Sequence, residues 1–380
     1  MRLARRLELT PNVLHRVGQR MPELVAARLG PRSVPILASR FRHDRIEGSG
    51  NTSMATMATR SAGRYGPRMS RTAPCFVFTP QVGAGYAGFR ERVRAAEETG
   101  FDGFWVVDHM WGRGVPDVPC LEGWSLVTAL AEATTTLRLG VLVTCNSYRN
   151  PGMLAKAVVT ADHVSGGRVE LGLGAGWMEE EYAAYGFEFP GVRTRLDQLA
   201  ETLEIVTRLF TQPRTTVDGR FYRFVDAPFE PKPVQRPLPI TIGGAGPKVL
   251  MKLVARYAQR WNCPMPAAPR LQEHLSALRA HCRDIGRDPA EVVVSEQIAV
   301  ILGKDDASLR AKRATAERMI GGFVDIESMA ICGTPNAVID RLAQKIESGV
   351  RDFAILFGDF GAPDSLELFA SRVRPALKLP

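Results

Sequence analysis

From Cys75 to the C-terminus, short apolar runs alternate with longer stretches of helical period, and this rhythm restricts the chain to a parallel α/β architecture. The first expected strand covers residues 75–79. A helix follows with Phe89, Val93 and Ala96 on one face and Gly100 as its C-cap. Residues 104–107 are apolar throughout, as a strand buried on both faces must be. Next come a helix over Leu126, Ala129, Leu130 and Ala133, a third strand at 137–144, and a helix opened by Pro151. That helix carries Leu154, Ala157, Val158 and Ala161. Ser165-Gly166-Gly167 ends it before a strand at 168–173. Leu196, Leu199, Leu203, Val206 and Phe210 then mark the clearest amphipathic helix of the chain.

The rhythm breaks after Phe210. Residues 215–217 and 221–224 flank Asp218-Gly219 and predict a β-hairpin with a type I′ turn. Five prolines from Pro228 to Pro239 predict an extended linker. Strands then resume at 240–242, near Trp261, at 292–302 and at 353–357. Helices are expected at 249–257, 271–285 and 366–377, and after Thr334-Pro335 with Val338, Leu342 and Ile346 on one face. A polar helix at 305–319 reads as peripheral. Eight strands alternating with about eight helices predict an α/β fold of the (β/α)8 TIM-barrel type, its insertion made of the hairpin and the proline-rich linker. A doubly wound open sheet is the alternative.

Charge separates two segments. The chain carries +9 overall, but residues 1–72 hold 14 Arg, no Lys and only Glu8, Glu23, Asp44 and Glu47 as acids. Residues 73–380 keep 35 basic and 36 acidic side chains, so the barrel is close to neutral and no basic surface directs it to nucleic acid. The Arg-rich stretch reads as an extension outside the enzyme, or as sequence before a start at Met54, Met57 or Met69. Arg2, Arg5, Arg6, Arg16 and Arg20 also suit a transit peptide or a basic arm. No apolar run reaches the length of a membrane helix. The six cysteines have neither Cys-x-x-Cys nor zinc-finger spacing, which suits reduced thiols in the cytoplasm.

In a (β/α)8 barrel the chemistry sits where strands end in loops at the C-terminal face. Asp108-His109 ends the second strand, where a carboxylate and an imidazole can orient a reactant and move a proton near neutral pH. A helix-capping Asp and a surface His are the structural alternative. Thr144-Cys145-Asn146 ends the third strand and can line a cofactor ring, or simply turn the chain before Pro151; Cys145 lacks a nearby base to make it a nucleophile. Gly174-Ala175-Gly176-Trp177 ends the fourth strand and Gly243-Gly244-Ala245-Gly246 the fifth. Two glycine-rich loops let backbone N–H groups approach an anion, and together they predict a phosphate-bearing cofactor. The dinucleotide fingerprint and Gly-x-Ser-x-Gly are both absent. His163 sits at a helix end and His274 and His281 read as surface residues. No His/Asp/Glu cluster has metal-ligand spacing, so no metal is expected.

Taken together, Val106-Val107-Asp108-His109, the run from Arg138 to Thr144, Tyr148-Arg149-Asn150-Pro151, Ser165-Gly166-Gly167-Arg168, the run from Gly172 to Trp177 and Ile242-Gly243-Gly244 resemble the luciferase-like monooxygenase superfamily. The likeness is nearest to its deazaflavin (coenzyme F-420)-dependent branch and covers about residues 75–380. It implies a homodimer with the deazaflavin or flavin ring at the barrel mouth, Asp108 and His109 beside it, and a non-prolyl cis peptide near Cys145 and Asn146. It also implies phosphate contacts from Gly174, Ala175, Gly176 and from Gly243, Gly244, Ala245 and Gly246. Similar sugar-phosphate dehydrogenases carry an acid in the fourth-strand loop where this chain has Trp177, which points away from sugar phosphates and toward an apolar or aromatic substrate. The implied activity is hydride transfer between F-420 and a small organic molecule. A monooxygenase fed reduced FMN by a partner flavin or deazaflavin reductase is the alternative, and a non-catalytic cofactor-binding barrel a third reading.

Overall fold

The computed structural model describes residues 72–380 apart from Gly114 and Pro116; the Arg-rich stretch up to Arg71 lies outside the described residues. Eight of the described strands close a parallel barrel. They are β1 Cys75–Phe78, β2 Gly103–Val106, β3 Arg138–Val141, β4 Val169–Gly174, β5 Ile240–Gly243, β6 Arg260–Cys263, β7 Val293–Leu302 and β8 Asp352–Phe357. The pairing of β8 with β1, Cys75 opposite Phe353 and Val77 opposite Ile355, closes the circle and excludes an open sheet. The outer layer consists of α1 Tyr86–Glu98, α2 Gly123–Glu132, α3 Pro151–Ser165, α4 Val192–Thr211, α5 Leu250–Tyr257, α6 Leu271–Asp284, α7 Pro335–Glu347 and α8 Pro363–Leu368.

Side-chain alternation builds two cores. Cys75 and Val77 of β1, Phe104 and Val106 of β2, and Phe353, Ile355 and Phe357 of β8 pack outward against helix residues such as Phe89, Val93 and Leu130. Phe76, Phe78, Trp105, Ala354 and Leu356 point inward and fill the barrel. A charged layer lies beside this interior. Glu170 of β4, fully buried, pairs with Arg138 and lies 3.7 Å from Arg260, whose other side contacts Asp352 at 3.0 Å. Burial pushes the Asp352 carboxyl up to about 6, and the Arg260 charge opposes that rise.

Several expectations need correction. The third strand stops at Val141, after which the Leu142-Val143 peptide is cis; the cis bond therefore falls before Cys145 and Asn146. Thr144–Cys145 then pairs separately with β4. The hairpin strands Arg214–Asp218 and Arg223–Pro228 are joined by four residues, and Gly219 has no positive φ, so the turn is not type I′. The Glu201 carboxylate of α4 holds this loop, accepting the backbone N–H groups of Phe221 at 3.1 Å and Tyr222 at 2.6 Å. The helix Asp306–Met319 is peripheral, as expected; its one buried residue, Ala316, with Ile320, Val324 and Ile326 beyond the helix, packs on the interior core at the ends of β7 and β8. The last helix divides into α8, a π turn at Phe369–Val373 and a 3-10 turn at Arg374–Ala376. A strand at Ala330–Gly333, unforeseen in the sequence, extends the sheet from β7.

Candidate active site

The four chemically loaded segments meet at the C-terminal face of the barrel, as strand order demands. Asp108 follows β2 and is buried. Arg149 donates to both of its oxygens, at 2.6 and 2.8 Å, and the Cys145 amide donates to Oδ2 at 2.8 Å. The same Arg149 reaches Glu122, the residue that caps α2 by accepting the amides of Trp124 and Ser125. Asp108 therefore ties the β2, β3 and α2 ends together, and its oxygens are engaged within the protein.

His109 stands at the mouth with about a quarter of its side chain exposed. Its Nδ1 lies 2.8 Å from Glu181 Oε2, while its backbone carbonyl accepts from the Gln81 amide at 3.1 Å. Trp177, itself 56% exposed, meets the imidazole edge to face with centroids 5.4 Å apart. Glu181 is fully buried in the short helix Glu179–Ala184. Besides His109 it accepts the Met110 N–H at 2.7 Å and the Tyr148 hydroxyl at 2.8 Å. Burial alone would raise the Glu181 carboxyl, but these hydrogen bonds hold it below the ordinary range, so it is an anion. The sequence reading missed Glu181; the only available signal was the acidic run Glu179-Glu180-Glu181 directly after the fourth-strand loop.

Thr144 and Cys145 face protein partners. Thr144 Oγ1 accepts from the Trp124 indole at 3.0 Å, and Cys145 Sγ lies 3.0 Å from the Tyr182 hydroxyl. Burial pushes the Cys145 thiol up to about 11, which leaves it a poor nucleophile. Asn146 differs from both. Its side chain is 1% exposed, yet neither Nδ2 nor Oδ1 has a partner among the described residues.

The two glycine loops divide in the same way. A Cβ on Gly174 would lie 2.6 Å from Val143 Cγ2 and one on Gly243 2.8 Å from Val143 Cγ1, so these two glycines make room for Val143. Gly176, at φ +76°, accommodates Tyr182, whose hydroxyl would sit 1.9 Å from a Cβ there. Gly244 and Gly246 have φ of +126° and +145° and meet only Leu250 at the start of α5, leaving that loop as the open cradle. Ala175 is partly buried against the core, and Ala245 is exposed.

The other histidines each contact a main-chain carbonyl. His163 Nε2 contacts the Lys232 carbonyl at the end of α3. His274, expected at the surface, is 1% exposed, its Nδ1 2.7 Å from the Arg270 carbonyl under the Trp261 ring; His281 is partly covered and contacts the Pro247 carbonyl. Among the described residues no trio of His, Cys, Asp or Glu side chains is placed to hold a metal, and no helix is long and apolar enough to cross a membrane. A cavity of about 450 Å³ opens at the opposite end of the barrel, beside Leu238, Tyr257 and Gln259. Lys232 on its wall donates to the Leu209 carbonyl at 2.8 Å near the end of α4.

A closed parallel barrel with its polar groups gathered at the strand ends defines a class, and the chain belongs to the luciferase-like monooxygenase family, whose model matches residues 67–328. Among curated proteins it is 35% identical over 168 residues to the F420-dependent glucose-6-phosphate dehydrogenase of Amycolatopsis mediterranei, an alignment covering 43% of this chain and 48% of that one. It is 28% identical over 331 residues to the 5,10-methylenetetrahydromethanopterin reductase of Archaeoglobus fulgidus, covering 75% of this chain and 94% of that one. Among solved structures, an F420-dependent secondary alcohol dehydrogenase superposes with a TM-score of 0.70 at 22% identity, over 81% of this chain and 99% of that one, a likeness of fold.

Proposed function

We propose that this protein is an oxidoreductase that moves a hydride between a deazaflavin of the F-420 type and a small organic substrate of apolar or aromatic character. The observation that carries the reading is His109, a mouth-facing imidazole held from behind by a buried carboxylate and flanked by the exposed indole of Trp177. The Amycolatopsis relative and the alcohol dehydrogenase of like fold are both F420-dependent, which supports that cofactor.

The residues present fit such a group. The unpartnered, buried amide of Asn146 offers a donating Nδ2 and an accepting Oδ1 to the polar edge of a ring, and the Gly244-Ala245-Gly246 loop before α5 suits a phosphate. When bound, the deazaflavin supplies the hydride chemistry. Asn146 would hold the ring edge and His109 Nε2 would take up or deliver the accompanying proton. Trp177 would exclude water and cover an apolar substrate face. Asp108 would act indirectly, by fixing the Cys145 amide and hence the backbone that presents Asn146.

Titration of the purified protein with F-420 and with FMN, followed by fluorescence, tests the proposal. Binding of the deazaflavin at least ten-fold tighter, a gap of about 1.4 kcal/mol, is the expected result. Equal or tighter FMN binding would replace it with the reduced-FMN monooxygenase reading, and absence of turnover with either reduced cofactor would leave a binding barrel.

A further inference from the structure

We infer that Glu181 is a positioning residue that locks His109 in the Nδ1–H tautomer and so makes Nε2 the atom that exchanges a proton at the mouth. The inference rests on the proposed role of His109 and adds to it the group that decides which nitrogen reacts.

The hydrogen-bond inventory around Glu181 fixes the tautomer. An ionised carboxylate only accepts. Glu181 Oε2 lies 2.8 Å from His109 Nδ1, so Nδ1 must donate and the neutral ring must keep its lone pair on Nε2. The other Glu181 contacts leave the carboxylate no freedom to turn away. Oε1 accepts the Met110 N–H at 2.7 Å and Oε2 also accepts the Tyr148 hydroxyl at 2.8 Å. The His109 main chain is fixed independently: Gln81 Nε2 donates to its carbonyl at 3.1 Å and Gln81 Oε1 accepts the Val107 N–H at 3.1 Å. The ring is thus held from the loop after β1 through its backbone and from the Glu179–Ala184 helix through its side chain. When Nε2 gains a proton, the buried anion stands directly behind the positive imidazolium. No partner for Nε2 is found among the described residues, and the exposed Trp177 lies against the ring.

The same inventory predicts what Glu181→Gln does. The Met110 N–H is a backbone donor that cannot be turned, so the single glutamine oxygen must face it. The amide nitrogen then faces His109 Nδ1 and Tyr148. Tyr148 can rotate its hydroxyl to accept, whereas Nδ1 can accept only if the ring carries its proton on Nε2. The substitution therefore reverses the tautomer with little change of shape.

The test is long-range ¹H–¹⁵N NMR of histidine-labelled protein without cofactor, at a pH where the ring is neutral, with His109→Ala used to assign the signals. Wild type is expected in the Nδ1–H form and Glu181→Gln in the Nε2–H form. A wild-type ring in the Nε2–H form overturns the inference without any variant, and so does an unchanged tautomer in a folded Glu181→Gln protein. Turnover in Glu181→Gln should fall about 10²-fold or more while F-420 affinity changes less than about three-fold, as when an imidazole is held in the wrong tautomer. Glu181→Asp, still an acceptor-only carboxylate, should keep the wild-type tautomer and recover part of the rate. Turnover unchanged in His109→Ala would overturn the functional reading instead, and the tautomer result separates that failure from this one.

Discussion

Arg149 donates to both oxygens of Asp108, at 2.6 and 2.8 Å, in a bidentate pair formed largely out of contact with water. Such pairs are strong mainly in the sense that breaking one is costly. Asp108→Ala leaves Arg149 with Glu122 alone and frees the Cys145 amide. Stability should fall by about 3 kcal/mol, the low end for a broken buried pair, because Glu122 still compensates part of the charge. Urea denaturation measures this, and a midpoint unmoved by Asp108→Ala would show that the loop stands without it.

Cys145 should behave as an inert thiol. Burial raises it to about 11, so at pH 7 the reactive thiolate is on the order of one part in ten thousand. Raising the pH increases that fraction, so native alkylation should accelerate toward pH 10 and stay slow at pH 7. Mass spectrometry after iodoacetamide treatment, native against urea-unfolded, follows the site. Rapid labelling of the native protein at neutral pH would reopen a covalent role for Cys145.

Gly176→Ala should cost at least about 2 kcal/mol, since left-handed backbone with a Cβ is already unfavourable by about 1–2 kcal/mol. The new methyl would also lie 1.9 Å from the Tyr182 hydroxyl and 2.8 Å from Cys145 Sγ. A drop of several degrees in Tm is the expected outcome. The variant also separates the two glycine loops, because Gly244→Ala should lower cofactor affinity through the open cradle.

How much of this was legible in the sequence depended on how local each signal was. The strands and helices of the barrel follow from periodicity: Phe89, Val93 and Ala96 are the buried residues of α1, and Val338, Leu342 and Ile346 those of α7, as their spacing predicted. Asp108, His109 and Asn146 stood out because each lies in the polar stretch that comes just after an apolar run, 104–107 or 141–143. Glu181 did not, because its partners lie 71 and 72 residues back at Met110 and His109 and 33 back at Tyr148, and only the closed barrel joins them. The glycine loops were harder to read for a related reason. A Gly-rich loop reads the same whether its space is kept for a phosphate or for a side chain from a neighbouring strand, and Val143 fills part of the fourth-strand loop. The type I′ turn failed because Glu201, from α4, supplies the loop's hydrogen bonds from outside the hairpin.

His109→Ala should lower single-turnover rates at saturating cofactor by about 10²–10⁴-fold, the usual scale for losing a general acid–base group. Cofactor affinity should fall far less, because the proposed ring and phosphate contacts come from Asn146 and the fifth-strand loop. A rate loss below about three-fold, under half of the roughly 1.4 kcal/mol that a ten-fold effect represents, would take His109 out of the mechanism.

Asn146→Leu gives the sharpest division between fold and function. The Asn146 amide is 1% exposed and makes no hydrogen bond within the described protein, so the free chain gains no stability from its polar atoms there. Replacing a buried polar group that lacks partners by an apolar side chain of the same branched shape is close to neutral for folding, whereas removing one side of a satisfied buried hydrogen bond costs about 1–3 kcal/mol. The leucine variant should therefore unfold within about 0.5 kcal/mol of wild type in the absence of cofactor, a range ordinary for substitutions that break no interaction. If Asn146 holds the polar edge of the deazaflavin ring, the same change leaves that edge unpaired in the complex, and affinity for F-420 should drop about ten-fold or more. Denaturation of the free protein and fluorescence titration with F-420 read the two quantities separately. Unchanged affinity beside unchanged stability would place the ring elsewhere in the mouth. A large loss of stability without cofactor would show that the amide serves the fold itself.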